Sequence, residues 1–120
     1  MISQPGIPTV DVREAENKMR AEEPALIVDV RNLDEFQAAR IDGAVLVPLP
    51  ELPARFSELP ANRPLLMMCR SGSRSAAAAA FLLQNGFQDV ANVAGGMDAW
   101  QVAGFPTRRG ALDPGEGELA

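Results

Sequence analysis

Seven consecutive residues concentrate the chemistry of this chain: Cys69-Arg70-Ser71-Gly72-Ser73-Arg74-Ser75. They hold its one thiol together with two guanidinium groups and three hydroxyls. A cysteine attacks as its thiolate, so something must favour loss of the proton near neutrality. No histidine occurs among the 120 residues, which excludes an imidazole base. The remaining route is to stabilise the anion directly. If an apolar strand ends at Met68 and a helix begins near Arg74 or Ser75, residues 70–73 must curl tightly between them. Gly72 admits backbone conformations closed to other residues, and successive N–H groups can then converge above the sulfur as an anion-binding nest. The first N–H groups of the helix lack intrahelical partners, and its dipole adds partial positive charge on the same side. Arg70 and Arg74 supply permanently charged, planar forks for an oxyanion substrate or leaving group.

Taken alone, a single cysteine is more often a small buried hydrophobe than a nucleophile. A packing cysteine, however, has no need of Arg-Ser-Gly-Ser-Arg-Ser beside it. The carboxyl edge of a parallel sheet is also where open α/β proteins bind ligands. Cys69 is therefore assigned as nucleophile and Arg70, Ser71, Gly72, Ser73 and Arg74 as the substrate-binding loop, with Asp29 in support. Asp29 either holds a loop arginine or loop N–H groups in place or serves as an ordinary capping carboxylate. Arg31, two residues on, either widens a positive funnel or makes a surface ion pair of little energetic value.

The elements that position this loop follow from periodicity and punctuation. ALIVDV (25–30), AVLVP (44–48), PLLMM (64–68) and the weaker DVANVA (89–94) are short apolar runs of the kind buried strands show, and 7–10 can add an edge strand. Asp11…Glu14 and Asn32…Glu35 each fit a capping box and predict helices near 11–22 and 33–39. An alanine-rich helix over 75–85 ends at Gly86, and proline-rich sequence leaves room only for a short helix over 52–58. Gly95-Gly96 makes a tight turn before a last short helix, whose Trp100 covers the core. Strand-then-helix repetition predicts an α/β fold: a small parallel β-sheet of four to five strands flanked by helices on both faces. Adjacent Met67 and Met68 then face opposite sides. Residues 1–106 form one domain, and TRRGALDPGEGELA (107–120), poor in apolar groups, is expected to be a flexible tail.

A chain of 120 residues can bury roughly two-thirds of its unfolded surface. One cysteine forms no internal disulfide, and without histidine the usual zinc and haem spacings are missing, so neither a metal nor a cofactor is expected. Cysteine usage of this kind suits a reducing cytoplasm. MISQPGIPTV lacks the pattern of a secretory signal, and no apolar run reaches the ~20 residues needed to cross a bilayer. A net charge of −5 argues against nonspecific binding to nucleic acid or anionic membrane.

Five separated pieces occur in a telling order: LIVDVR (26–31), DEFQAARIDGAVLVPL (34–49), CRSGSRS (69–75), LLQNGF (82–87) and NVAGGMDAW (92–100). In this order the sequence resembles the single-domain rhodaneses, thiosulfate sulfurtransferase-type modules, over residues 6–106. The resemblance implies a small parallel sheet wrapped by helices and transfer of a sulfane sulfur through a cysteine persulfide. It makes Cys69 the nucleophile and places the outer sulfur among the N–H groups of Arg70 to Arg74. Arg70 and Arg74 would orient the donor and stabilise departing sulfite. The implied partners are a small sulfur-containing anion such as thiosulfate and an acceptor: cyanide, a thiol or a protein. One departure is Ala39-Arg40-Ile41, where the family commonly shows Gly-His-Ile. Arg40 either replaces a structural hydrogen bond of that histidine or points to solvent.

Two other functions compete. A phosphatase or arsenate reductase also binds a tetrahedral oxyanion in a cysteine-and-arginine loop. That signature encloses five residues and usually begins His-Cys, whereas Cys69 and Arg74 enclose four and Met68 precedes the cysteine. A shorter ring favours a sulfur atom over a phosphate group. The second competitor is a non-catalytic sulfur relay or regulatory module, since a fold does not dictate turnover.

Overall fold

The computed structural model of the chain describes residues 6–119. Residues 1–5 and 120, which open the expected domain and close the expected tail, lie outside them. Five parallel strands, β1 (Thr9–Val10), β2 (Leu26–Asp29), β3 (Val45–Leu46), β4 (Leu65–Met68) and β5 (Val90–Val93), line up in the order β1-β5-β4-β2-β3. Five helices accompany them: α1 (Val12–Met19), α2 (Leu33–Ala38), α3 (Leu52–Arg55), α4 (Ser73–Gln84) and α5 (Gly96–Val102). This is the α/β architecture expected from the sequence, with Thr9–Val10 supplying the fifth strand beside Asn92 and Val93.

Alternation along the strands sorts the core into two layers. Leu65 and Met67 pack with Val28, Val90 and helix residues Leu52, Ala78, Ala79 and Leu82 on one face. Leu66 and Met68 pack with Ile27, Val93, Phe36, Met97 and Trp100 on the other. Met67 and Met68 therefore part as expected. Small alanines let α4 lie close against the sheet while keeping high helix propensity. Both capping boxes form, Asp11 with Glu14 and Asn32 with Glu35. α4 begins at Ser73, slightly earlier than expected, because Gly72 takes φ +109° and turns the chain at once into the helix. It ends before Gly86 at φ +93°, with Phe87 N–H closing onto Leu82 O at 3.1 Å. The expected helix over 52–58 is instead a four-residue α3 between two 3₁₀ turns; Pro50 and Pro53, at helix starts, withhold N–H groups from a longer ladder.

The carboxyl-terminal segment, expected to be a flexible tail, lies against the domain. Residues 40 and 108 exchange backbone hydrogen bonds of 2.9 and 2.8 Å, and Gly110 N–H donates to Gln37 O at 2.8 Å. Leu46 N–H donates to Gly117 O at 2.7 Å, which covers the exposed edge of β3. The anchor is Arg40. It points inward and is 1% exposed; its Nε and Nη2 donate to the Glu116 carboxylate at 2.5 and 2.9 Å. Its Nη1 donates to Gly110 O at 2.8 Å and Nη2 to Ala111 O at 3.3 Å. Leu112 and Leu119 add apolar contact, one to each core layer. The segment has little apolar surface, and a buried guanidinium and main-chain bonds join it to the domain.

Candidate active site

Strand β4 delivers Cys69 to the carboxyl edge of the sheet, and α5 decides how the next peptides face. The carbonyls of Cys69 and Arg70 accept from Met97 N–H at 2.9 Å and Asp98 N–H at 3.0 Å. With these carbonyls tied to α5, loop N–H groups turn the other way, toward sulfur. Gly96, at φ +54°, is where the two backbones touch: a Cβ there would overlap the Cys69 and Arg70 carbonyls. The sequence suggests only a tight turn at Gly95-Gly96; the structure makes the second glycine a condition of the loop's shape.

Gly72 N–H donates to Cys69 Sγ at 3.1 Å, and Ser75 Oγ lies 3.3 Å from the sulfur. The N–H groups of Ser71 and Ser75 also act on it. Burial pushes the thiol up most strongly. The Ser75 hydroxyl and the N–H groups of Ser75, Gly72 and Ser71 pull it down and together prevail, leaving the pKa below its ordinary value. Cys69 itself is 1% exposed, so the sulfur lies beneath the loop and not on an open rim. Ser71 and Ser73 are exposed on the outside of that loop.

The cations are arranged less simply than the sequence suggests. Arg74 forks onto Glu35, with Nη1 and Nη2 each 2.8 Å from a carboxylate oxygen. Its hydrogen bond holds Glu35 at about 2, against the opposing effect of burial. Glu35 in turn raises Arg74. Arg70 is different: its side chain is 72% exposed and only loosely opposed by Asp98 at 3.6 Å. Asp29 does not touch a loop arginine. It accepts from Arg31 Nε at 2.9 Å and Nη2 at 2.7 Å. Arg31 is 5% exposed, so it is neither a surface ion pair nor a free funnel cation. It also donates to Glu35 O at 3.2 Å and Ala39 O at 2.7 Å. Asp29 thus braces α2 through Arg31, α2 carries Glu35, and Glu35 places Arg74.

A cleft of about 390 Å³ beside the loop is lined by Arg31, Glu35, Arg70, Met97, Asp98 and Arg109, among others. Sequence reasoning missed Glu35, Ser75, Asn92, Gly96 and Arg109. A signal existed for two of them: Ser75 directly follows the loop, and Asn92 interrupts an otherwise apolar strand. Glu35 and Gly96 were marked locally only as a capping residue and a turn glycine, and nothing local marked Arg109.

Residues 11–103 match the family model of the Rhodanese-like domain. A sulfurtransferase of Allochromatium vinosum is 36% identical over 97 residues, covering 81% of this chain and 91% of that protein. A thiosulfate sulfurtransferase of Vibrio cholerae is 32% identical over 97 residues, with the same 81% and 91% coverage. Among solved structures, a rhodanese-related protein from Thermoplasma volcanium superposes with a TM-score of 0.78 at 27% identity, over 84% of this chain and 97% of that one.

Proposed function

The chain belongs to the rhodanese-like domain family, and from that premise we propose that it moves a sulfane sulfur from thiosulfate or a persulfide donor to an acceptor through a Cys69 persulfide. The Cys69 thiolate attacks the outer sulfur of thiosulfate. An Sγ–S bond forms, the bond to the sulfonate sulfur breaks, and sulfite leaves with the electron pair. Such a step needs a charged nucleophile and a place for an anion more than it needs a proton carrier. Arg70, exposed at the mouth, receives the incoming and departing anion. Arg74 adds a second fork whose charge Glu35 shares. Cyanide or a thiol then removes the outer sulfur, and Cys69 returns as thiolate. A reducing compartment such as the cytoplasm suits a chain with one unpaired thiol.

The single observation that carries this reading is the set of N–H donors and the hydroxyl around Sγ. Its test is intact-protein mass after exposure to thiosulfate. One added sulfur atom, lost on treatment with cyanide and absent from Cys69→Ala, is expected; an unchanged mass overturns it. The burial of Cys69 favours a second reading, in which the persulfide passes only to a protein acceptor. A persulfide stable to cyanide but discharged by one protein thiol would select that reading.

A further inference from the structure

Ser75 has one hydroxyl proton and two acceptors within reach. Its Oγ lies 3.3 Å from Cys69 Sγ and 2.5 Å from Asn92 Oδ1, and all three residues are buried. The far end of the Asn92 amide is pinned, because Nδ2 donates to Gly72 O at 3.1 Å. That leaves Oδ1 facing Ser75. An amide oxygen only accepts, so the short contact requires Ser75 to donate to Asn92 and to turn a lone pair toward sulfur. This arrangement suits a neutral thiol, whose S–H can donate to Oγ. A thiolate has no use for a lone pair; it needs the hydroxyl proton.

We propose that the Ser75 hydroxyl is a two-position donor and that Asn92 is the positioning residue that sets its resting state. It bonds to Asn92 while Cys69 is a thiol or a persulfide, and it rotates onto Sγ whenever Cys69 is a thiolate. The inference deepens the reading of Cys69 as nucleophile and rests on it. On ionisation the thiol proton goes to solvent base, and Ser75 keeps its own while turning about the Cβ–Oγ bond. When the thiolate captures the sulfane sulfur, the Sγ–S bond forms, sulfite carries the electron pair away, and the hydroxyl returns to Asn92. When an acceptor nucleophile takes the outer sulfur, the Sγ–S bond breaks with its pair on Sγ. The hydroxyl then swings back to meet that charge. Asn92 therefore keeps a donor in reserve beside the leaving sulfur, at some cost to the resting thiolate.

Charged groups approach this pocket from several elements: Arg70 on the loop, Arg74 on α4 paired with Glu35 on α2, Asp29 at the end of β2 paired with Arg31, and Asp98 on α5. Among the described residues none of them hydrogen-bonds to Sγ, and all remain in place when Ser75 or Asn92 is replaced by a neutral residue. Gly72 O also keeps the helical bond from Ala76 N–H at 3.1 Å when the Asn92 amide is gone.

The test is titration of the Cys69 thiolate, by its ultraviolet absorbance and by alkylation rate against pH, in the wild type, Ser75→Ala, Asn92→Ala and the double variant. Ser75→Ala should raise the midpoint by about one pH unit, the scale of one hydrogen bond to a charged group. Asn92→Ala should lower it, because the hydroxyl no longer has to leave a better acceptor. The double variant should match Ser75→Ala, since Asn92 acts only through that hydroxyl. Circular dichroism establishes that each variant is folded, and Asn92→Leu, closer in volume, takes the place of Asn92→Ala if the alanine unfolds. Additive shifts, a rise in the Asn92 variant, or no rise in Ser75→Ala would each overturn the proposal. The titration uses no sulfur donor. Shifts of the expected sign in a chain that forms no persulfide would keep this inference and remove the transfer function.

Discussion

Two of the charged or chargeable groups that the protein buries, the Cys69 sulfur and the Arg40 guanidinium, are accommodated by opposite means. Around the sulfur, the donors come from Ser71, Gly72 and Ser75, all within six residues, and they are mainly backbone N–H groups. Around the guanidinium, the acceptors are Gly110, Ala111 and Glu116, at least 70 residues away, and they include a full carboxylate. A backbone nest places no counterion against the sulfur, which leaves the anion reactive. A carboxylate against arginine produces a stable pair and no chemistry. The difference teaches that one site leaves its buried group without a counterion, as the proposed sulfur transfer requires, and the other holds the chain.

The largest effect that separates the two sites is expected on removal of the thiol. Cys69→Ala should abolish persulfide formation and sulfur transfer, while stability changes by no more than about 1 kcal/mol. Thiocyanate production and chemical denaturation measure the two halves of that statement. Glu116→Ala should do the reverse. It leaves a buried arginine with carbonyls alone and should cost about 3 kcal/mol, with persulfide formation retained in the folded fraction. The same pair has a pH signature. Glu116 is held at about 2, first by its hydrogen bond from Arg40. A depressed carboxyl stabilises the fold fully above its unfolded pKa, roughly 4.3, and that contribution fades as pH falls toward 2. Stability of the wild type should therefore drop over that window, and Glu116→Gln should flatten the drop.

Gly96→Ala tests whether α5 shapes the nest. The added methyl meets the Cys69 and Arg70 carbonyls in a left-handed backbone, at an expected cost of roughly 1–3 kcal/mol. In the protein that still folds, the thiol midpoint should rise and persulfide formation should slow; an unchanged midpoint would mean that the N–H groups hold their aim without α5. The smallest change is expected for Glu35→Gln. Arg74 is 38% exposed, so losing the ion pair should cost under about 1 kcal/mol. Freeing its fork should lower KM for thiosulfate with little change in kcat.

The legible parts of this protein are those written in short sequence windows. Apolar runs gave away β2, β3, β4 and β5, Asp11…Glu14 and Asn32…Glu35 marked two helix starts, and Gly72 and Gly86 marked the ends of the loop and of α4. The cysteine loop was visible for the same reason, since its donors are neighbours in the chain. For Asp29 the sequence left a loop partner and an ordinary capping role open, and the carboxylate goes to Arg31, two residues on. The contacts of the tail were not legible in its composition. Apolar content measures one kind of glue, and residues 107–119 use another.

By itself the sequence determined most of the sheet's strands, the helix starts and a cysteine set between a strand and a helix, because each depends on residues a few positions apart. Only the tertiary structure decided that Glu35 takes Arg74, that Asn92 competes for the Ser75 proton, and that Arg40 ties down the carboxyl-terminal segment. Those pairings join residues 17 to 76 positions apart, and no local propensity encodes which distant partner a charge or a hydroxyl will meet once the core has closed.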